Sequence, residues 1–589
     1  MIRTPALILL LAAPAVLAAP TQLRLQSLGT TRLPAPASGA ASADDVRSGI
    51  PHRTEVDIHS YLSGGPTPGH PLPASSPAAS GLSLSLVNGG FSGFNGLTHR
   101  DQRNAGTGIY TNTQFSLEPP DQALCVGNGF VVEAVNTALA IYDQSGVRKA
   151  GPVALNQFFG LVPEFDRKTG ISGDFTSDPR CFYDWKSGHF FLIILQIDPA
   201  PGVRSHTLIA RSQSGDPTGG WDAFALDATN DGLNGTPSHP GCPCFGDQPL
   251  FGVDANAVFV TTNEFGNQTF NGAEVYGIGK SLFTGGTGSA VLIDNLTLAE
   301  GIAYTLQPAT TPPGGEFARG SGGTEFFASA LDFSGTLDDR IAVWAMTGTR
   351  SLNTATPAVA FGSKVIKSEV YGQPPDADQK SGPTPLRDLL GSLGSAEPLE
   401  FLSTNDDRMQ QAVYSDGKLW TALTTVVTPK GDTADRAGIA WFKVKVEAEE
   451  GELEAKIEKQ GYVSVPGANV FYPSVAVTKD DRAAIGFSLS GQQFYPSAAY
   501  VRLSGHGTSA VHIAASGAGP QDGFTGYFFF GGNGHARWGD YSAAVAGADG
   551  SIWMAAEYIP GGKRSLLANW GTFITRLAPQ GEDEGGSDE

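Results

Sequence analysis

The feature that most constrains this chain is a strand-turn-strand unit that recurs seven times between Asp121 and Tyr558. Each copy has a polar approach, an Asp or an equivalent residue, a first strand, a Gly or Asp turn, and a second strand rich in aromatic and β-branched residues. Pro120-Asp121 leads into ALCVGNGFVVEAVN, Ser177-Asp178-Pro179 into RCFYDWKSGHFFLIILQ, and Gly246-Asp247-Gln248 into PLFGVDANAVFVTTNEF. Asn405-Asp406-Asp407, Tyr472-Pro473-Ser474 and Gly539-Asp540-Tyr541 open three more, and GTEFFASALDFSGTLDDRIAVWAM is a degenerate copy. A spacing of about 70 residues leaves each copy room for two further strands. Separate hairpins cannot bury both sheet faces, whereas closure into a ring does so and protects the edges. The pattern therefore predicts an all-β chain, a single seven-bladed β-propeller over 81–579. First strands are expected near Asp121, Asp178, Asp247, Gly322, Asp406, Pro473 and Asp540. Gly571 to Leu577 should close the last sheet with a strand from before Asp121.

The flanks read differently. Arg3, the apolar run Ala6 to Ala19 and Val16-Leu17-Ala18 predict a signal peptide over 1–18 and hence a secreted, extracellular or periplasmic protein. No later run approaches the ~20 apolar residues of a transmembrane helix. Residues 19–80 are rich in Pro, Ala, Ser and Gly without apolar period, which predicts a disordered linker. Residues 580–589 read as an acidic disordered tail. A net charge of −20 argues against nucleic acid or anionic membranes as partners, because both need a neutralising basic face. A monomer is expected.

Four cysteines in an exported chain allow two disulfides and three connectivities. Cys125 and Cys181 follow the Asp of adjacent copies at similar spacing, which favours Cys125 with Cys181 and leaves Cys242 with Cys244. Because so short a loop is strained, pairing of Cys181 with Cys244 stays open.

The motifs PPDQALCVGNG, SDPRCFYD, GDQPLFGVD and RWGDYSA, spanning Pro119 to Leu577, resemble those of a group of secreted bacterial propeller proteins. More distantly the chain resembles sialidase-like propellers, whose Asp-box turn is approached by SGDPTGGW, Ser214 to Trp221, with its Gly one place late. The resemblance implies the propeller fold. It transfers no sialidase catalytic residue, since the only near match to the Arg-Ile-Pro motif, Arg32-Leu33-Pro34, falls in the expected linker.

In such a ring the start of each first strand and the end of each second strand meet at one rim. That should bring Asp121 to Asn136, Asp178 to Gln196, Asp247 to Asn263 or Glu264, and Asp540 to Glu557, with His239, Arg537 and Trp538 on entering loops. Two carboxyls held in opposite protonation states can hydrolyse a glycosidic bond, so Asp247 with Glu264, or Asp540 with Glu557, are the candidate catalytic pairs. Asn136, Asn263, His239, Arg180, Arg408, Arg537 and Trp538 are the candidate substrate-binding residues. Alternatively each Asp is a turn residue accepting backbone N–H bonds, and each Arg pairs with a neighbouring Asp. Aromatic and acidic groups together suit a carbohydrate or cell-envelope glycan, bound and cleaved by a glycoside hydrolase or lyase, or bound without cleavage by a binding module or protein-interaction scaffold.

No cofactor is expected. Asp227 to Gly232 partly follows a calcium loop, but Thr229 and Ser238 stand where ligands are needed. His206 and His239 lack a zinc-protease spacing, so no metal site is expected from the sequence. His52, His59 and His70 lie in the expected linker.

Overall fold

The computed structural model describes residues 20–34, 72–86, 89–199, 204–332, 335–449, 452–504 and 507–579. The expected signal peptide, residues 1–18, and the expected tail, residues 580–589, lie outside the described residues, as do His52, His59 and His70. The chain is all-β, and the longest helix among the described residues is Pro385–Ser392. Among the described residues no helix is long and apolar enough to cross a membrane.

Seven strands open successive antiparallel sheets: β1 (Ala123–Gly127), β2 (Phe175–Asp184), β3 (Phe245–Val253), β4 (Gln307–Thr310), β5 (Met409–Ser415), β6 (Asn469–Val477) and β7 (Ala543–Ala546). Each packs on the next in order, and β7 packs on β1, so these strands form a closed cycle. Further strands lie outward in sequence order; in the first sheet they are Phe130–Val135, Ala138–Asp143 and Arg148–Ala154. The fourth and fifth sheets are continuous, because β4 pairs in parallel with β5.

Two expectations need correction. The fourth opening strand is Gln307–Thr310, and Thr324–Ser329, which follows Gly322, is the second strand of that sheet. The segment 19–80 is not wholly a linker. Thr21–Leu23 pairs with Ala290–Ile293 at the outer edge of the third sheet, and Gln26–Arg32 pairs with Gly220–Asp227 at that of the second. Ala78–Ala79 adds in parallel to Lys418–Pro429. Arg32 therefore sits at a sheet edge opposite Gly220.

Stacking of sheets explains why the strands read as unbroken apolar runs. In His189–Ile197, Phe190, Leu192 and Ile194 enter the core shared with the first sheet, while Phe191 and Ile193 enter the core shared with the third. Every residue from Phe190 to Leu195 is buried. Full burial of each such side chain is worth about 1.5–3 kcal/mol. Cys125 and Cys181 pair across the first two sheets, and Cys242 pairs with Cys244, with Cα separations of 5.3 and 4.2 Å. The Asp-box-like turn also forms: Asp216 Oδ1 accepts the Thr218 amide at 2.9 Å, and the buried Trp221 indole donates to the Pro217 carbonyl at 2.8 Å.

The recurrent Asp proves to mark two different positions. Bulges interrupt β2, β3 and β6 at left-handed residues, namely Asp178 (φ 56°), Gln248 (φ 48°) and Tyr472 (φ 55°), each followed by proline. Asp247 thus lies one place before the counterpart of Asp178. A non-glycine residue held there costs on the order of 1 kcal/mol or more, so surrounding bonds must enforce it. Asn136 supplies such bonds. Its Nδ2 donates to the Pro119 carbonyl (2.6 Å) and Asp121 Oδ2 (2.8 Å), and its Oδ1 accepts from the Asp178 amide (3.0 Å) and Ser177 Oγ (3.2 Å).

The cycle closes in the seventh sheet, where Phe91–Thr98 pairs with Gly571–Leu577. Glu133, fully buried on the first sheet, accepts from the Leu97 amide (2.9 Å), Tyr142 Oη (3.2 Å) and Thr572 Oγ1. A Cβ on Gly96 would collide with that carboxyl. Burial pushes Glu133 and Glu118 up to about 7, and Glu164 up to about 8.

Two outcomes follow from these fastenings. Asn136→Ala removes the bonds that Asn136 makes to the Pro119 carbonyl, Asp121 Oδ2 and the Asp178 amide and should destabilise the protein by about 2–4 kcal/mol in urea unfolding; a loss under about 0.5 kcal/mol would contradict the role. The raised glutamates set a pH dependence. Between 4.5, their reference value, and about 7 to 8, the folded state retains protons that the unfolded state has shed, so stability falls as pH rises. Melting temperature should therefore decline from pH 5 to pH 8, less steeply in Glu133→Gln, and a rise over that interval would refute the assignment.

Candidate functional site

The opening strands bring acidic and basic side chains to one rim of the cycle. Asp121 is buried at its centre, where Oδ1 accepts the Asp540 amide (2.8 Å) and Oδ2 accepts Asn136. Burial, then the charges of Asp540 and Asp178, hold its carboxyl well above the usual range. Asp540 Oδ2 receives Arg537 Nη2 at 2.6 Å, and Oδ1 has no hydrogen-bond partner. Both side chains of this pair reach solvent, at 22% for Arg537 and 18% for Asp540. Glu557 lies beneath. Its Oε2 accepts the Gly539 amide at 2.6 Å, its Oε1 is unpartnered, and burial keeps it well above the carboxylate range.

The other two candidate arginines differ, Arg408 being fully bonded while Arg180 buries Nε and Nη2 without hydrogen-bond partners. Arg408 clamps Asp406 through Nε (2.7 Å) and Nη2 (2.5 Å) and donates to Gln248 Oε1 (2.8 Å). Arg180 lays its guanidinium over the Tyr541 ring at 3.3 Å, and Tyr541 Oη donates to the Pro179 carbonyl. Below them a cavity of about 40 Å³ is bounded by Arg180, Gln307 and Gln411, room for a water or two.

Several expected binding residues have structural occupations. Trp538 is fully buried with its indole donating to Ser488 Oγ at 2.9 Å, so its ring is closed to stacking. Asn136 is consumed between the first two sheets. Asn263 exchanges two bonds with Thr305, at 2.7 and 2.8 Å. Asp247 stands opposite Asn263 in register, as expected. Gln196 instead reaches Asp174 and Asp198, while Asp178 is held by Asn136. In the calcium-like loop, Asp227 and Asp231 both pair with Arg204.

Glu264 departs furthest from a rim carboxylate. It is buried on the third sheet, with Oε2 2.8 Å from His239 Nδ1 and Oε1 2.6 Å from Asn230 Nδ2. His239 Nε2 is 2.9 Å from Asp294 Oδ2, and Asn230 Nδ2 also donates to Glu274 Oε1 at 2.6 Å. Acceptance of its ring N–H groups by Asp294 and Glu264 pushes His239 up to about 10, and burial pushes Glu274 up to about 8. Sequence reasoning missed Asn230, Glu274 and Asp294. The available signal was a Glu placed within the apolar run Ala273 to Tyr276, next to the strand that carries Glu264.

It also missed the exposed aromatics. Phe401 stacks on His535 with centroids 5.6 Å apart, where Phe401–Leu402 pairs with His535–Ala536. Phe528 and Phe529 are exposed nearby in sequence, and their amides donate to the Glu397 carboxylate at 2.7 and 3.0 Å.

No family model matches the chain, and no curated protein matches it. Among solved structures it is similar to native arabinanase Arb43A of Bacillus subtilis, with 9% identity, 66% of this chain and 96% of that chain covered, and a TM-score of 0.28. It is similar to the α-L-arabinanase of Cellvibrio cellulosa, with 8% identity, 67% and 95% coverage, and a TM-score of 0.28. It is also similar to Trypanosoma rangeli sialidase in complex with sialic acid, with 10% identity, 78% and 60% coverage, and a TM-score of 0.31. Similarity at this level names neither a substrate nor a reaction.

Proposed function

We propose that the chain is a secreted seven-bladed β-propeller that binds a carbohydrate or cell-envelope glycan at the rim carrying Arg537 and Asp540. The cyclic contact of β1 through β7 supports the propeller reading. Two disulfides suit an oxidising compartment, in keeping with the export signal read from the sequence.

One observation carries the ligand class. The solvent-reaching Arg537–Asp540 pair stands over buried Asp121 and Glu557, and Arg537 belongs to the segment that also exposes Phe528, Phe529 and His535. Carboxylates accept sugar hydroxyls, guanidinium groups donate to ring and hydroxyl oxygens, and aromatic faces stack on the apolar side of a pyranose. The rings that serve are Phe401, Phe528 and Phe529, in place of Trp538.

The same rim supports a hydrolytic reading. Burial raises the Glu557 carboxyl well above the usual carboxylate range, whereas Asp540 is paired with the Arg537 guanidinium, so the two carboxyls stand in the unlike surroundings that acid–base cleavage uses. Asp247 with Glu264 is the weaker pair, because Glu264 is occupied by His239 and Asn230.

The test is a polysaccharide array read for binding and reducing-end release together. Binding is expected, weakened about tenfold by Asp540→Asn, the loss of one charge-assisted contact, with the melting temperature read alongside because the ion pair is half-buried. Release by the wild type and none by Glu557→Gln assigns hydrolysis. Binding without release assigns a binding module. Silence in both channels overturns the carbohydrate reading.

A further inference from the structure

The third sheet holds a second polar cluster, apart from the rim pair. His239 Nδ1, a Glu264 oxygen and a Glu274 oxygen lie within 4.8 Å of one another. The individual gaps are 2.8 Å from Nδ1 to Glu264 Oε2 and 3.8 Å from Nδ1 to Glu274 Oε1. Ligands held at about 2.0–2.2 Å around a tetrahedral ion are separated by roughly 3.3–3.6 Å, so small side-chain adjustments close a shell. We infer that His239, Glu264, Glu274 and Asn230 form a structural site for one divalent ion of the zinc class.

The outward sides of these ligands are already fixed. Asp294 Oδ2 lies 2.9 Å from His239 Nε2, the carboxylate-histidine arrangement that orients an imidazole toward a metal. Tyr276 Oη donates to Glu274 Oε2 at 2.6 Å, with Thr262 Oγ1 at 3.4 Å. Neither bond uses the Glu274 oxygen that faces Asn230 and His239.

An independent observation comes from Asn230, which is fully buried in a left-handed conformation (φ 49°). Its Nδ2 sits 2.6 Å from one oxygen of each glutamate, while its Oδ1 has no partner. A half-turn of the amide, which gives up the two Nδ2 bonds to Glu264 and Glu274, would offer that oxygen to an ion held between the two carboxylates. One nitrogen and three oxygens suit Zn²⁺; Ca²⁺ takes six to eight oxygens, more than this cluster offers.

The loop that brings Asn230 and His239 together is closed before any ion arrives. The His239 amide donates to the Asn230 carbonyl, the Cys244 amide to the Thr229 carbonyl, and the Asn267 amide to the Gly241 carbonyl, each at 2.9 Å. Cys242 and Cys244 are paired with each other, which removes their thiolates from the donor set and stiffens the loop. The ion would pin this loop to the second and third strands of the third sheet. The side chains of His239 and Glu264 are only 8% and 1% exposed, so the site is closed to substrate and independent of glycan binding.

Full-length protein stripped with EDTA and dialysed should be titrated with Zn²⁺ by calorimetry, with melting followed in parallel. Expected are one equivalent bound at micromolar affinity or better and a melting temperature raised by several degrees. His239→Gln and Glu274→Gln should each weaken binding at least tenfold, Asp294→Asn should weaken it about 10- to 100-fold, and Glu454→Gln on the exposed surface should leave it unchanged. No Zn²⁺ binding, or binding that survives in both His239→Gln and Glu274→Gln, overturns the proposal. Where those variants do not fold, Co²⁺ in the wild type decides: a tetrahedral visible spectrum supports the site, and the aquo-ion spectrum overturns it.

Discussion

The structure rests on one antiparallel pairing, that of Phe91–Thr98 with Gly571–Leu577. Each interior sheet has a neighbour on either side to cover its apolar faces. The first and last sheets have that cover only if the chain returns on itself. Placing residues from both ends in one sheet makes opening of the cycle cost both a ladder and the exposure of two packed faces. Glu133 concentrates that dependence, since one carboxyl from the first sheet grips Leu97 and Thr572 on the two closing strands. Gly96 stays small because that carboxyl occupies the space where its Cβ would be.

What could be read from the sequence was what repeats. The strand pattern, the closing strand and the preferred disulfide pairs follow from residues that serve two cores at once, such as Phe190 to Leu195, whose apolar run has few alternative homes. The edge strands were illegible for the converse reason. Gln26–Arg32 is largely exposed, so its pairing with Gly220–Asp227 rests on backbone bonds that leave no hydrophobic period. β4 spans only Gln307–Thr310 and carries a proline, so the longer strand after Gly322 drew the assignment.

The candidate site was legible in its composition and less so in its roles. Aligning Asp178 with Asp247 joined two positions one residue apart, because the sequence does not mark which residue takes the left-handed conformation; Gln248 and Tyr472 take it as Asp178 does. Trp538 was assigned to the surface from its place in an entering loop, yet Ser488 Oγ satisfies its indole within the core. Phe528 and Phe529, in an apolar run that reads as core, are instead exposed, their backbone amides tethered to Glu397.

The acidic chain also has to place carboxyls where water cannot reach them, and it does so in three ways. At Glu133 and Glu164 burial lifts the carboxyl to about 7 and about 8 while it accepts bonds from amides and hydroxyls, so its charge appears only at higher pH than usual. At Asp406 a guanidinium neutralises the charge directly, and Arg408 carries the excess on to Gln248. The third sheet fits neither pattern, because Glu264, Glu274 and Asp294 converge on a single imidazole and one amide nitrogen. Three carboxyls facing one imidazole and one amide in a low-dielectric interior are the arrangement that a bound divalent ion would neutralise. Asn230 adds to that cluster a buried Oδ1 without a hydrogen-bond partner, one more oxygen for such an ion.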